Sequence, residues 1–246
     1  MELIVLGAGG GWPAAGGAAS GYLLRHQGFN MWVDLGTGSM ANLQEHIELG
    51  DVHSLAISHR HFDHFLDLYP FFLARYYPKH TPDPPRLPLF APPGMFDHAL
   101  QLEADLPGVF EPHTVELGET FHAGPFTVRT APMRHPVPTL GMRFEADGSV
   151  FAYSADTGPT DELVSLADGA DALLCEATWL KVPPTAPDPF HLIPSEAGGF
   201  ARRAGVGRLI ITHVWPTNDM DSVVGQAAEA FGDQVTLARE GLKVEW

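Results

Sequence analysis

The densest group of side chains able to do chemistry lies at residues 58–64, which read SHRHFDH after an apolar segment at residues 54–57. In an extended backbone, His59 and His61 project to the same side because side chains alternate with period two, so both imidazoles can bind one cation. Asp63 and His64 follow where the chain turns toward a helix, and a carboxylate beside an imidazole suits a second ion of the zinc type. Three histidines and one aspartate within six residues therefore predict a metal site that forms half of a two-metal centre.

Composition favours metal chemistry and argues against nucleic acid as a partner. The chain has 246 residues, of which 13 are histidines, and a formal net charge of −16. A duplex or a structured RNA would be repelled by this charge, so nucleic-acid binding is an unlikely function. The single cysteine, Cys175, excludes a disulfide framework and a CxxC site, and it is interpreted as inert core in a reducing compartment.

The elements that must position this motif alternate between strand-like and helix-like segments. Apolar segments of strand length, separated by turn signals, predict strands at residues 3–6, 22–25, 31–34, 54–58, 87–91, 126–131, 140–144, 150–154, 172–175, 209–212 and 234–237. Helical patterns are found at residues 39–49, 66–77, 160–167, 195–204 and 221–231. Residues 27–28 and 146–148 are predicted hairpin turns, and the whole pattern predicts a mixed α/β sandwich.

The only linker-like segment, residues 78–88, is short and proline-rich, and is interpreted as a surface loop. Residues 1–246 are therefore expected to form one domain. The first residues show no basic region followed by a long apolar core, and no window reaches about 18 uninterrupted apolar residues. These features predict a soluble, cytoplasmic protein that does not contact a membrane.

A glycine-rich segment at residues 7–21 follows the first strand and invites comparison with nucleotide-binding loops. A GxGxxG match starting at Gly7 would need glycine at Trp12, and no Gly-Lys-Ser/Thr ends the loop. The segment also leads into a strand, whereas a nucleotide-binding loop leads into a helix. It is better interpreted as a flexible loop that lets backbone approach a buried site.

The HxHxDH motif, the strand before it and the later segments YSADT and ITH resemble the metallo-β-lactamase fold superfamily. This resemblance implies a four-layer αββα sandwich. Within the superfamily, residues 18–22, 32–36 and 58–64 are most similar to the branch that contains RNase Z-type enzymes and small phosphodiesterases acting on cyclic nucleotides.

The resemblance also implies the remaining metal ligands, each placed just past an apolar strand. The third histidine is His135, the bridging carboxylate is Asp156 and the last histidine is His213. One expected ligand set is therefore His59, His61, His135 and Asp156. The other is Asp63, His64, Asp156 and His213. Imidazole-rich sets suit Zn²⁺, while Mn²⁺ and Fe²⁺ stay open.

Seven other histidines fit no ligand position and are interpreted as surface or loop residues. They are His26, His46, His53, His80, His98, His113 and His122. The phosphodiesterase branch also implies a dyad, here Glu176 and His191, in which the histidine protonates the leaving oxygen. That branch more often has threonine where this chain has Ile193.

The expected reaction is hydrolysis of a phosphodiester by a water activated on two metal ions, with Asp63 orienting the nucleophile and His191, held by Glu176, as general acid. The resemblance implies that RNase Z-type enzymes carry a long tRNA-gripping insertion between the third histidine and the bridging aspartate, whereas only residues 136–155 separate His135 from Asp156 here. Because the chain is also acidic, small substrates such as 3′,5′-cyclic nucleotides fit better than tRNA. Arg143 and Lys181 are the cations that would contact phosphate.

Three alternatives stay open at this point. They are lactone, ester or thioester hydrolysis on the same metals, RNase Z-type cleavage of tRNA, and a metal-holding scaffold without turnover. The complete ligand set argues against the scaffold. A homodimer is left open.

Overall fold

The computed structural model describes residues 1–77, 85–185 and 188–246. In these ranges it contains fourteen strands: β1 (Glu2–Gly7), β2 (Gly21–His26), β3 (Phe29–Leu35), β4 (Ser54–Ala56), β5 (Leu87–Ala91), β6 (Phe110–Thr114), β7 (Thr120–Ala123), β8 (Phe126–Pro132), β9 (Leu140–Ala146), β10 (Ser149–Tyr153), β11 (Ala172–Glu176), β12 (Leu209–Thr212), β13 (Val235–Leu237) and β14 (Lys243–Glu245).

Seven α-helices accompany these strands in the described ranges. They are α1 (Ser39–Leu43), α2 (Phe62–Phe65), α3 (Leu68–Tyr76), α4 (Met95–Leu100), α5 (Asp161–Ala167), α6 (Pro194–Ala204) and α7 (Met220–Phe231). Single 3₁₀ turns lie at Leu49–Asp51 and Leu106–Gly108. None of these helices is long and apolar enough to cross a membrane.

The strands form two seven-stranded mixed sheets. The first has the order β14-β1-β2-β3-β4-β5-β6, and the second has the order β13-β12-β11-β10-β9-β8-β7. In the first sheet β3 to β6 are parallel, and in the second β10 to β13 are parallel. Their carboxyl ends therefore gather the following loops at one edge of each sheet, which is where mixed sheets commonly place functional side chains.

Three hydrophobic layers hold the four-layer αββα sandwich together, and the predicted fold is confirmed. The central layer packs the facing sides of the two sheets, for example Val5 and Met31 against Phe144 and Leu174. A second layer packs the first sheet against α1 to α4, and a third packs the second sheet against α5 to α7.

Helix α7 shows how local sequence produces these layers. Its apolar residues recur every three or four positions, and Val223 and Ala227 are fully buried on the face toward the second sheet. The Asp219 side chain accepts a hydrogen bond from the Ser222 amide, which satisfies one of the amides left free at the helix start.

Both predicted hairpins are present. Gln27 and Gly28 join β2 to β3, and Asp147 and Gly148 join β9 to β10, with positive φ at all four residues. Positive φ at both central positions is typical of the turn that matches the twist of an antiparallel pair, and it explains the glycine in the second position.

Several element predictions need correction. Strands β6, β7 and β14 and helix α4 were not predicted, because their apolar residues are few or interrupted by proline and charged residues. The helix predicted at residues 39–49 ends at Leu43, and the one predicted at residues 66–77 is preceded by α2, which already begins at Phe62. Residues 78–84 of the predicted surface loop lie outside the described ranges.

Candidate metal centre

The structure brings His59, His61, His135 and Asp156 together as one compact group. His61 Nδ1 lies 3.1 Å from His59 Nε2 and 3.0 Å from His135 Nε2. Asp156 Oδ2 is 3.6 Å from His59 Nε2 and 3.9 Å from His135 Nε2. Three ring nitrogens and one carboxylate oxygen thus converge on one point, which is the donor set of a tetrahedral zinc site.

A second group consists of Asp63, His64 and His213. His213 Nε2 lies 3.2 Å from His64 Nε2 and 3.1 Å from Asp63 Oδ2. The other carboxylate oxygen of Asp156, Oδ1, completes this group at 3.3 Å from His64 Nε2 and 3.4 Å from His213 Nε2. All seven residues predicted as metal ligands therefore meet in the two expected sets.

Asp156 lies between the two groups and turns one oxygen toward each. The residue is 2% exposed, and its Oδ1 is buried without a hydrogen-bond partner. A buried carboxylate oxygen with no partner is costly, since its desolvation is not compensated. A cation at this point removes the cost, so the residues present fit a metal ion.

The protonation of the first group suits metal binding. Burial lowers the pKa of His59 well below its ordinary value, and burial with the nearby His135 lowers the pKa of His61 to about 4. Burial also lowers the pKa of His135. These imidazoles are neutral at pH 7 and keep the lone pair that a metal ligand needs.

His64 behaves in the opposite way. Burial alone would lower its pKa, but the carboxylates of Asp156, Asp63 and Asp34 outweigh burial and raise the pKa well above its ordinary value. The second group therefore concentrates negative charge, which would favour binding of a cation.

Asp34, at the end of β3, supports this group from behind. Its Oδ2 is 2.8 Å from His64 Nδ1, and it also accepts hydrogen bonds from the hydroxyls of Ser58 and Tyr153 at 2.8 and 2.7 Å. The Ser58 amide donates to Oδ1. A carboxylate on the far ring nitrogen fixes the tautomer of a metal-binding histidine and leaves Nε2 for the ion.

Thr178 gives His213 equivalent support. Its Oγ1 lies 2.7 Å from His213 Nδ1 and 2.6 Å from Glu176 Oε2. One hydroxyl can accept from the imidazole N–H and donate to the carboxylate, so a chain of hydrogen bonds runs from His213 to Glu176. The chain leaves Nε2 of His213 directed toward Asp63.

Glu176 and His191 form the expected pair. His191 Nδ1 lies 3.0 and 3.2 Å from the two carboxylate oxygens of Glu176, which is fully buried. Burial alone lowers the pKa of His191, but the Glu176 carboxylate outweighs it and raises that pKa to about 9. Asp156, His191 and His213 also present atoms within 4.8 Å of one another, so His191 borders the ligand groups directly.

The glycine-rich loop after β1 packs against the same groups, as the sequence predicts. A Cβ at Gly10 would meet the His213 carbonyl oxygen at 2.6 Å, so only glycine fits this close approach. The Gly11 amide donates to Asp63 Oδ2 at 2.8 Å. Backbone is therefore one of the groups that hold the second ligand set.

Strained backbone conformations are also concentrated near the metal centre. Five non-glycine residues in the described ranges have positive φ, and three of them, Asp34, Ala155 and His213, are metal-centre residues or next to one. Such conformations cost of the order of 1–3 kcal/mol each and persist where the surroundings impose them. The fold thus constrains the backbone at the points that aim these side chains.

The remaining predictions about single residues have mixed outcomes. His26, His46, His53, His98, His113 and His122 belong to none of the candidate ligand groups, and His80 lies outside the described residues. Cys175 is buried, and burial raises the pKa of its thiol. The guanidinium of Arg143 is engaged at the end of α5, where it donates to the carbonyls of Leu166 and Asp168, so the prediction that it contacts phosphate is wrong.

Sequence reasoning missed two supporting residues, Asp34 and Thr178. Asp34 lies in the segment at residues 32–36 that resembles the phosphodiesterase branch, and Thr178 lies two positions after Glu176. Their types carried a signal, because a carboxylate or hydroxyl one shell outside a histidine ligand is the usual arrangement.

Comparison with known proteins agrees with this geometry. Residues 30–214 match the model of the Beta-lactamase superfamily domain. The chain is 34% identical to an uncharacterized protein of Mycobacterium tuberculosis over 244 residues, covering 96% of this chain and 88% of that protein. It is 30% identical to ribonuclease Z of Mycobacterium bovis over 274 residues, covering 100% and 98%. The crystal structure of the metallo-beta-lactamase fold protein YhfI from Bacillus subtilis superposes with a TM-score of 0.90 at 26% identity, covering 100% and 98%.

Proposed function

The chain belongs to the beta-lactamase superfamily and is a metallo-hydrolase of that fold, and we propose that it hydrolyses small phosphodiesters such as 3′,5′-cyclic nucleotides at a two-metal centre. The observation that carries this proposal is Asp156, whose two oxygens face two separate ligand groups. A carboxylate shared in this way would hold two cations close together, and such a pair would supply the chemistry that displaces a leaving group from phosphorus.

The donor set favours Zn²⁺ in both positions. Five imidazoles and two carboxylates, with no thiolate, make up the two groups. Two such ions, when bound, lower the pKa of a water molecule and withdraw charge from a phosphoryl oxygen. Asp63 keeps 13% of its side chain exposed and is held by the Gly11 amide, so it is placed to accept a proton from the attacking water.

His191 is the proposed general acid. Its Nδ1 is engaged by Glu176, whose carboxylate raises the pKa of the ring and so favours its protonated form. The protonated imidazole can donate to the oxygen that leaves phosphorus, and Glu176 stabilises the cation and fixes the ring. A positioned general acid is typically worth about 10² to 10⁴ in rate.

The substrate is proposed to be small for two reasons. The interval between His135 and Asp156 contains only β9, β10 and short connections, so no inserted subdomain is available there to hold a large RNA. The net charge of −16 also opposes a polyanion. The favoured class is therefore a phosphodiester with one or two nucleotide-sized groups.

A tRNA precursor is the second candidate, and the observation that favours it is the 30% identity to a ribonuclease Z over the full chain.

We expect the zinc-loaded protein to hydrolyse 3′,5′-cyclic AMP and to cleave precursor tRNA poorly, with little gain at low salt. A protein that neutralised many phosphates would show a steep salt slope. Turnover of both substrates, of a linear dinucleotide and of a lactone should be compared between about 50 and 200 mM salt. Efficient, salt-sensitive cleavage of tRNA would reverse the expected preference for cyclic AMP over precursor tRNA. A dominant lactone activity would overturn the proposal that the protein is a phosphodiesterase.

The hydroxyl of Thr178 gives a selective test of the second ligand group. Replacing Thr178 by valine keeps the shape and removes the acceptor of His213 Nδ1, so we expect zinc affinity at this group to fall about 10- to 100-fold. Zinc titration of metal-free protein against a chromophoric chelator should then show one weakened and one unchanged equivalent. Thr127→Val on β8, far from the centre, is the matched control. Equal weakening of both equivalents, or no weakening, would contradict the separate role given to Thr178.

A further inference from the structure

A row of tryptophans lies beside the metal centre and has no part in the chemistry described above. We call Trp12, Trp215 and Trp179 the aromatic wall. The rings of Trp12 and Trp215 are 5.7 Å apart at 40°, and those of Trp215 and Trp179 are 6.5 Å apart at 74°. Three of the five tryptophans of the chain thus line up in loops that meet only in the folded protein.

The wall residues are adjacent in sequence to residues of the metal centre or in contact with the proposed general acid. Trp12 follows Gly11, whose amide holds Asp63, and Trp215 is two residues beyond His213. The ring of Trp179 lies 5.2 Å from that of His191, edge to face. The wall therefore borders the side of the centre formed by the second ligand group and the proposed general acid.

Packing accounts for only one member of the wall. Trp179 is buried at 4% exposure, whereas Trp215 is half-buried, Trp12 is exposed, and neither of these two belongs to a hydrophobic layer of the described structure. Trp12 is 44% exposed, on a loop whose glycines already satisfy the close approach to His213. An indole held at the surface beside a reactive site is available to bind a planar group.

We propose that Trp12 and Trp215 form the surface on which the nucleobase of the substrate stacks while its phosphodiester lies at the metal centre. This inference rests on the proposed function and adds the substrate's organic part to it. Stacking on an indole needs no positive charge, and it suits a chain that has only 14 lysines and arginines against 30 acidic residues. Because every base has an aromatic face, the wall would select for a base and discriminate weakly among bases.

A substrate pair that differs only in the base tests this directly. Trp12→Ala is expected to raise KM for 3′,5′-cyclic AMP about 10-fold, with kcat nearly unchanged, since a stacked base contributes binding that is uniform between ground and transition states. The base-free ribose 3′,5′-cyclic phosphate should show the same KM in both proteins. Trp12→Phe, which keeps a ring, should recover part of the loss.

A binding measurement that does not depend on turnover completes the test. Adenosine added to the metal-free protein should quench tryptophan fluorescence, and Trp12→Ala should weaken the fitted affinity about 10-fold. Tyr76→Ala removes an aromatic residue of similar exposure, 46%, from α3 and is the matched control with no expected effect. Thermal melting checks that the variants fold, and Trp215→Phe provides a second probe of the wall.

The outcomes separate this inference from the proposed function. Adenosine binding that depends on Trp12, without hydrolysis of cyclic AMP, would support the wall and overturn the substrate proposal. If the protein hydrolyses cyclic AMP and substitution of Trp12 or Trp215 leaves KM unchanged, the aromatic wall does not bind the base, and the proposed function stays in place. An equal loss of kcat/KM for the nucleotide and the base-free diester would also contradict base stacking, since the tryptophans would then only support the structure of the loop.

Discussion

Replacing Asp156 by alanine is expected to remove both metal ions and abolish hydrolysis. Each oxygen of Asp156 faces a different ligand group, so this one substitution weakens both groups at once. Turnover should fall by more than about 10³-fold, a larger loss than the 10² to 10³ that follows removal of one electrostatic donor, because the attacking nucleophile is lost as well. Metal analysis of protein purified without chelator should fall from about two equivalents to nearly none.

Two single-group variants are the matched comparison for this experiment. His135→Ala affects only the first group and His213→Ala only the second, so each should retain about one equivalent. Asp161→Ala, an exposed residue at the start of α5, should retain both ions and full activity. If Asp156→Ala keeps a full equivalent of tightly bound metal, the shared-carboxylate assignment is wrong.

Replacing His191 by alanine should leave metal content unchanged and slow hydrolysis selectively. We expect a loss of about 10² to 10⁴ in kcat with a cyclic nucleotide, whose alkoxide leaving group needs a proton, and a far smaller loss with a nitrophenyl diester. The reason is that His191 Nδ1 is engaged by Glu176, while both ligand groups are complete without this residue. Steady-state rates on the two substrates, with metal analysis of the same samples, make the measurement.

Glu176→Gln is the second variant that tests the role of His191, with a smaller expected effect. It keeps the size of the side chain and removes the charge that raises the pKa of His191, so it should show the same substrate selectivity more weakly. Metal loss in His191→Ala would indicate a ligand, in line with the proximity of this ring to Asp156 and His213. Equal losses on both diesters would indicate a role in positioning substrate.

Much of the candidate site was predictable because its signals are local. His59 and His61 share one side of an extended segment, and Asp63 and His64 follow where α2 begins, so the spacing alone predicts half of the centre. Asp156 and His213 were implied by the resemblance to the superfamily; Asp156 lies three residues after β10 and His213 directly after β12, and parallel strands bring such positions to one edge. The alternation of apolar strands and amphipathic helices predicted a mixed α/β sandwich, and the resemblance to the metallo-β-lactamase fold superfamily implied its four-layer αββα form.

The parts that sequence did not predict depend on contacts between distant segments. Asp34 and His64 are 30 residues apart, and Thr178 and His213 are 35 apart, so no spacing rule joins them. The edge strand β7 alternates exposed and buried residues over only four positions, too few to give a clear period. Arg143 failed as a phosphate contact because proximity in sequence to a motif says nothing about which face of β9 its side chain takes.

The origin of the ligands in the two sheets has a mechanical consequence. His59 and His61 come from the loop after β4 in the first sheet, and Asp63 and His64 come from helix α2, which follows that loop. His135, Asp156 and His213, in contrast, follow strands of the second sheet. Each ligand group takes residues from both halves of the sandwich. An ion bound in either group would therefore cross-link the two sheets at the edge where the ligands lie. Any sliding or opening of one sheet against the other would stretch metal–ligand bonds at that edge, while the opposite edge would be held by side-chain packing.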